Sequence, residues 1–247
     1  MNSHPYKKKW GQNFIKDQNT IKKIITLINP QKTDRIIEIG PGTGALTNDL
    51  SKITKELIAV EIDPLLCKRL QGNFKNDIKI INEDILKLDL NKFNNYNKIV
   101  GNLPYYITTP IIFKILEYSF WDKIIFMIQK EVAERIVAPP GSKTYGRLSV
   151  MVQVTANVEK KFNVSKNIFY PKPKVDSSLI ELTLKKNNDL IDINKFSEIV
   201  KKSFNQRRKI LKNSLADFIP IDAYDEYKNK RPEELSVNDY IKISNNI

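Results

Sequence analysis

Apolar residues recur along this chain in two rhythms that take turns. Ile21, Ile24, Ile25 and Ile28 fall at helical spacing behind Asp17, a residue suited to cap a first turn, and the stretch closes at Asn29-Pro30. RIIEIG, from Arg35 to Gly40, is instead a short β-branched run ended by glycine, which predicts a buried strand. A helix is expected from Thr43 to Ser51, followed by a second strand at LIAVEI, Leu57 to Ile62. Pro64 then takes the first turn of a helix continued by Leu65, Leu66 and Leu70. IKII (Ile78 to Ile81), KIVGNL (Lys98 to Leu103) and KIIFMI (Lys123 to Ile128) repeat the strand texture. Between the last two, Thr108 to Tyr118 carries Ile111, Ile112, Ile115 and Leu116 on one helical face. Continuous apolar strands separated by amphipathic helices predict an α/β fold, a doubly wound and mostly parallel sheet covered on both faces.

Further on, a helix RLSVMVQVTA is expected after Gly146, then two strand-like runs near Val158–Val164 and Val175–Leu184. No long helix separates these two, so they are expected to pair antiparallel at one edge, completing a seven-stranded sheet. After Lys186 the texture changes. Asn187, Asn188 and Asp189 read as a linker, and Phe196, Ile199, Val200 and Phe204 share one face of the first of several short helices. The expected domains are therefore 1–187, α/β, and 188–247, small and all-helical. There is no internal repeat and no low-complexity segment.

Composition narrows the class. The 247 residues are 41% hydrophobic and 9% aromatic, which excludes a disordered or collagen-like chain. One cysteine forms no internal disulfide, and a single cysteine and a single histidine make no structural zinc cluster, so no metal is expected. No apolar run reaches the ~18 residues of a membrane span, and MNSHPYKKKWGQNF holds no apolar signal core. The expectation is a soluble cytoplasmic protein. Lys and Arg number 41 against 28 Asp and Glu, a net charge of +13 that points to a polyanionic partner such as nucleic acid. Residues 1–187 hold most of that excess, yet Lys195, Lys201, Lys202, Arg207, Arg208, Lys209 and Lys212 form a local basic run faced by Glu198 alone. That run is a docking surface for RNA or a solvated helix face.

Two turns carry candidate chemistry. After the first strand stands Glu38-Ile-Gly40-Pro-Gly42-Thr-Gly44, a glycine turn that lets backbone approach a ligand. Its spacing is G-x-G-x-G, whereas the dinucleotide fingerprint is G-x-G-x-x-G. Glu61 closes the next strand, where an acid reaches a ribose diol, and Asp84 follows the third, where a carboxylate can accept from an adenine amine. Three such positions at successive strand ends favour an amino-acid-bearing nucleoside, S-adenosyl-L-methionine above others. The fourth strand ends in Gly101-Asn102-Leu103-Pro104-Tyr105-Tyr106. Proline ends the strand and leaves carbonyls free to point outward. The Asn102 side-chain oxygen and one such carbonyl can accept both hydrogens of an exocyclic amine and turn its lone pair toward a methyl sulfonium. Tyr105 offers a face for an extruded base. Such catalysis needs positioning and electrostatics but no metal.

With these residues in hand, the chain resembles the KsgA-type small-subunit rRNA adenine N6,N6-dimethyltransferases. The matching blocks are GQNF (Gly11 to Phe14), EIGPGTGALT (Glu38 to Thr47), VEID (Val60 to Asp63), EDIL (Glu83 to Leu86) and GNLPYYI (Gly101 to Ile107). MIQKEVAERI (Met127 to Ile136), YGRLSVMVQ (Tyr145 to Gln153), FYPKPKVDSS (Phe169 to Ser178) and FNQRRKILKNSL (Phe204 to Leu215) continue the match. The resemblance implies a class I, Rossmann-like methyltransferase domain with a helical C-terminal RNA-docking domain. It implies that Asn13 and Ile15 contact the methionine end of S-adenosyl-L-methionine, and that Gly40, Glu61 and Asp84 hold its backbone, ribose and adenine sites. By the same resemblance Asn102 touches cofactor and target amine, Leu103, Pro104 and Tyr105 complete the catalytic turn, and Phe169 packs on the other face of the flipped adenine. The implied reaction dimethylates two adjacent adenosines in a hairpin near the 3′ end of 16S rRNA. The implied partner is the small ribosomal subunit during ribosome biogenesis, and a monomer is expected. Ile15 stands where the family usually has leucine, and Tyr106 where others often have asparagine.

Two other readings stay open on sequence: a large-subunit rRNA adenine N6-methyltransferase of the macrolide-resistance type, and a non-catalytic RNA-binding assembly factor on the same fold. Gly11 before Gln12, Leu103 in the turn and Gln129–Arg135 are closer to the KsgA type, and the intact turn and Glu61 favour activity. His4 sits in the N-terminal stretch and is not expected to act as a base. Cys67 is expected to be a small buried hydrophobe, and Trp10 and Trp121 to be packing residues, with Trp10 and Lys7–Lys9 a weak RNA signal.

Overall fold

The computed structural model describes residues 10–74, 78–185 and 192–247. His4, Lys7–Lys9 and the expected linker at Asn187, Asn188 and Asp189 lie outside them. After a two-residue strand β1 (Phe14–Ile15), Asp17 accepts from the Thr20 amide at 2.6 Å and so caps α1 (Gln18–Ile28). Ile21, Ile24 and Ile28 of that helix are buried, and Asn29 ends it in the left-handed conformation at φ 47°.

The apolar runs become β2 (Arg35–Ile39), β3 (Glu56–Glu61), β4 (Lys79–Asn82), β5 (Lys98–Asn102) and β6 (Lys123–Gln129). These five pair in parallel in the order β4-β3-β2-β5-β6, with Ile37 opposite both Ile58 and Ile99. Beyond β6 lies β9 (Ser177–Leu184), antiparallel with Phe126 opposite Ile180, and β7 (Ala156–Val164) is the neighbour of β9 at the edge. The sheet is thus seven-stranded and mostly parallel, a Rossmann-like architecture. Side chains alternate across a strand, so Ile36, Val100 and Ile125 pack with Ile24 and Ile28 of α1 while Ile37, Ile99 and Ile124 are buried on the other face. Burial on both faces explains why these runs show no polar alternation.

The helices between strands are α2 (Thr47–Leu50), α3 (Pro64–Phe74) and α4 (Thr108–Leu116). The expected helix from Thr43 to Ser51 is helical over Thr47–Leu50 only. Gly42 and Gly44 adopt φ of 60° and 89°, and the Gly44 amide turns back onto the Pro41 carbonyl at 2.9 Å. The chain there is a turn, not a helix. A helix absent from the pattern, α5 (Lys130–Ile136), follows β6 without a loop, and α6 (Arg147–Thr155) is where RLSVMVQVTA placed it. A second, two-stranded sheet pairs β1 with β8 (Phe169–Tyr170) in antiparallel register.

The described residues form two compact units, one within Met1–Lys130 and Glu159–Leu184, the other within Glu131–Val158 and Lys185–Ile247. The second unit takes in more chain than 188–247. Tyr145, Val150 and Val154 share a core with Phe196, Ile199 and Val200 of α7 (Ile193–Asn205), Leu211 and Leu215 of α8 (Leu211–Leu215), and Tyr240 and Ile243 of α9 (Val237–Asn245). Asp192 caps α7 by accepting from the Asn194 and Lys195 amides. Among the described residues no helix is long and apolar enough to cross a membrane.

Candidate active site

The first unit opens a cleft outside the C-terminal ends of β2, β3, β4 and β5, at the point where the strand order reverses direction from β2. Open α/β sheets bind ligands at such a crevice. Counted with the open solvent at its mouth, the cleft spans about 950 Å³. Asn13, Ile15, Gly40, Glu61, Asp84, Asn102, Leu103 and Pro104 all line it. Eight of the residues singled out from sequence, spread over some 90 positions, therefore meet in one place.

At one end the cleft is built by backbone and acids. Glu61 is buried, with Oε2 accepting from the Gly42 amide at 3.2 Å and Oε1 from the Asp63 amide at 2.9 Å. Burial nevertheless pushes its carboxyl above the ordinary range. A carboxylate offers about four lone-pair sites, and with the Ile62 amide also bearing on Glu61 about one remains for a diol. Asp84 accepts the Leu86 amide on Oδ1 at 2.9 Å, and no described residue donates to its Oδ2. Ile62 and Ile85, each next to one of these acids, add apolar walls that suit a purine, and sequence reasoning did not single them out. Glu38 was also passed over as a titrating group. It is only 2% exposed, takes a 2.6 Å bond from Thr47 Oγ1, and is pushed up to about 7 by burial, with the Glu61 charge adding to the effect. Gly42 has a use the motif does not announce: a Cβ there would stand 2.7 Å from the Phe14 ring, which also lines the cleft.

The other end is built by side chains. Asn102 Nδ2 donates to the Asn13 carbonyl at 2.8 Å, which leaves its Oδ1 with no donor among the described residues. Asn13 is itself held by a 3.0 Å bond from its Nδ2 to Gly11 O, and Gln12 Nε2 anchors the same segment to Asp63 at 3.0 Å. The Leu103 amide donates to Met127 O at 3.0 Å, while no described residue donates to the Leu103 carbonyl. The Pro104 carbonyl is engaged by Thr108 Oγ1 and the Ile107 amide. The two open acceptors of the turn are thus Asn102 Oδ1 and Leu103 O.

Tyr105 and Phe169 stand apart from the cleft lining. Tyr105 is half-buried, its hydroxyl 2.6 Å from Ser177 Oγ, and burial raises its phenol. Phe169 is only 4% exposed and sits with Ile15 in the apolar core. Tyr106 lines the cleft mouth, its ring resting against Gly11. Trp10 lines the cleft, whereas Trp121 is buried and donates to Ile115 O at 3.1 Å. Cys67 is buried, its thiol pushed up to about 11 chiefly by desolvation, so it is no nucleophile. Among the described residues no group of three His, Cys, Asp or Glu side chains is placed to hold a metal ion.

Comparison with known proteins bears on this geometry. Residues 3–247 match the family model described as ribosomal RNA adenine dimethylase. The chain is 46% identical to a ribosomal RNA small subunit methyltransferase A of Wigglesworthia glossinidia brevipalpis, across 97% of each protein. It is 40% identical to the protein of the same name from Malacoplasma penetrans, over 96% of this chain and 90% of that one. Among solved structures it is similar to a dimethyladenosine transferase from Plasmodium falciparum, with TM-score 0.85, 26% identity and coverage of 93% and 95%. It shares its fold with the 23S rRNA methyltransferase ErmE at TM-score 0.72 and 23% identity, over 94% of this chain and 98% of that one.

Proposed function

The chain belongs to the ribosomal RNA adenine dimethylase family, and on that footing we propose that it transfers methyl groups from S-adenosyl-L-methionine to the N6 amines of two adjacent adenosines near the 3′ end of 16S rRNA, in the small ribosomal subunit. The observation that carries this reading is the meeting, in one cleft, of a nucleoside-sized cradle with two open acceptors on the Asn102–Tyr105 turn. The cradle suits the cofactor: Glu61 would hold its ribose, Asp84 its adenine amine and Ile62 and Ile85 its ring, with Asn13 and Ile15 available to the methionine end and the Gly40 turn alongside, all of them lining the cleft. When bound, the cofactor supplies an electrophilic methyl carbon on sulfur.

This chain's residues do the rest. Asn102 Oδ1 and Leu103 O accept the two N–H groups of the target amine, which draws its lone pair out of the purine ring and aims it into the cleft. Pro104 fixes the turn, and Tyr105 supplies the surface on which the extruded base stacks. Held this way, the amine nitrogen would face the methyl carbon that the bound cofactor would supply, and the amine proton would leave to solvent. The work is positioning and charge complementarity in a partly dry cleft.

The cleft lies within one chain, which supports action as a monomer, and nothing in the reaction asks for more than a cytoplasmic cofactor and substrate. The helical unit serves as the RNA-docking part: Lys201, Lys202, Arg208, Lys209 and Lys212 are exposed, while Arg207 is tied to Glu233 at 2.9 Å. The small-subunit reading is preferred to the large-subunit one because the relatives at 40% identity and above carry small-subunit names. Incubating undermethylated small subunits, and separately protein-free large-subunit rRNA, with this protein and cofactor tests it. Mass mapping is expected to find dimethyladenosine at two adjacent positions of 16S rRNA; methylation of the large-subunit RNA alone overturns the proposal.

A further inference from the structure

The segment from Ser165 to Ser177 is tied to the cleft at both ends, and only Phe169 in it has been given a role. At one end β8 pairs with β1, Tyr170 opposite Phe14 and Phe169 opposite Ile15. Residues opposite one another in an antiparallel pair share a face. Ile15 and Phe169 enter the core together, so Phe14 and Tyr170 turn the other way. Phe14 lines the cleft and Tyr170, beside it, is 45% exposed. Lys16 follows Phe14 by two residues, falls on that same face, and holds its ammonium 3.9 Å from the centre of the Tyr170 ring. At the other end Ser177 bonds Tyr105 of the acceptor turn, and Asp176 O accepts the Lys130 amide at 3.0 Å.

Between these anchors the chain is basic. Lys166, Lys172 and Lys174 face the single acid of the segment, Asp176, whose carboxylate accepts the Lys166 amide at 3.0 Å. Lys166 Nζ reaches back to the Lys174 carbonyl at 3.4 Å, which draws the two ends of this basic ridge together. Lys16, Lys172, Lys174 and Val175 are all exposed. An exposed ring with one cation on its face and exposed lysines two and four residues on, paired with a strand whose Phe14 lines the cleft, matches the chemistry of single-stranded nucleic acid: bases stack on the ring and phosphates meet the cations.

We propose that this ridge docks the single-stranded RNA next to the target adenosine, one neighbouring base stacking on Tyr170 and the flanking phosphodiesters lying on Lys172 and Lys174, with Lys16 holding the ring. The proposal rests on the RNA-methylating reading above.

Three variants of the full chain test it: Lys172→Gln with Lys174→Gln, Tyr170→Ala, and Tyr170→Phe. Affinity for undermethylated small subunits is measured across a salt series, together with KM and kcat for transfer and calorimetric affinity for S-adenosyl-L-homocysteine. The lysine pair is expected to flatten the slope of log affinity against log salt by about 1.4, at ~0.7 per single-strand phosphate contact. Tyr170→Ala is expected to weaken RNA binding by roughly 5- to 100-fold through KM with kcat kept, and Tyr170→Phe to restore it. Homocysteine-product affinity and thermal unfolding stay at the unaltered protein's values, which shows that the variants fold. Unchanged RNA affinity and salt slope in the lysine and alanine variants overturn the ridge while leaving the methylating reading intact. A native protein that methylates no small subunit overturns that reading itself.

Discussion

The two ends of the cleft are built by different means. At the cofactor end most polar contacts are made within the strand-end neighbourhood that positions them: Gly42 to Glu61, Asp63 to Glu61 and Leu86 to Asp84 span at most 19 residues, while Gln12 reaches Asp63 across 51. At the acceptor end the bonds join distant stretches, Asn102 to Asn13 across 89 residues and Tyr105 to Ser177 across 72. The first end is mainly a property of the sheet's edge, completed by Gln12, Asn13 and Ile15 of the entry segment. The second exists only when the entry segment before β1 and the start of β9 are both docked. The difference predicts that transfer can be damaged with cofactor binding kept, and that the cofactor end answers mainly to changes in charge and backbone.

The largest effect is expected at Asn102. Replacing it with alanine removes one of the two open acceptors of the turn, and loss of one such oriented group in other enzymes lowers turnover by ~10²–10³-fold. Single-turnover transfer of Asn102→Ala should fall by about that factor while calorimetric affinity for S-adenosyl-L-homocysteine changes by no more than about threefold. An equal loss in both would erase the distinction between the ends.

Glu38 tests the cofactor end by charge. An unfolded glutamate titrates near 4.5, and Glu38 in the folded protein near about 7. Between those values the folded state holds a proton that the unfolded state has released. The stabilising contribution of the neutral carboxyl is therefore fully present below pH 4.5 and is lost as pH rises through 7. Glu38→Gln keeps an oxygen for the Thr47 hydroxyl and removes the titration. Denaturant melts across pH should show the variant gaining on the native protein from pH 4.5 upward, by on the order of 3 kcal/mol at pH 8. A constant difference across that range would show that Glu38 does not titrate there.

Gly42→Ala comes next. It places a side chain at φ 60° and a Cβ 2.7 Å from the Phe14 ring. The left-handed backbone alone costs about 1–2 kcal/mol, visible as a lower unfolding midpoint. Phe14 must also shift, so cofactor affinity should fall as well, which Asn102→Ala does not cause.

The same division decides what could be read from sequence. Glu61 and Asp84 are legible because each follows an apolar run whose end the pattern marks, and a strand end has a known place in the fold. Gly40 and Asn102 are legible for the same reason. The engagement of the Pro104 carbonyl is not, because it depends on the Thr108 hydroxyl of the next helix. Phe169 and Tyr170 are adjacent letters, and which ring enters the core is set by the one-residue register of β1 against β8. A two-residue strand carries no periodicity from which to read it. The helix expected from Thr43 failed for a related reason: Gly42 and Gly44 use positive φ to build a turn where apolar spacing alone continues a helix. The extent of the second unit was hidden because Tyr145, Val150 and Val154 look like any apolar run until their partners, some fifty residues later, are known.

The smallest effect separates the ends most finely. Tyr105→Phe keeps the ring and removes one hydrogen bond to Ser177, a loss worth about 1 kcal/mol. If that bond serves only to hold the stacking face, kcat for transfer drops by about fivefold, cofactor affinity is untouched, and Ser177→Ala gives the same change. The double variant should then be no worse than either single one, because both remove the same contact. Additive losses would mean that Ser177 acts on the turn through β9 rather than through the Tyr105 hydroxyl, and the acceptor end would then depend on strand docking as a whole rather than on individual side-chain bonds.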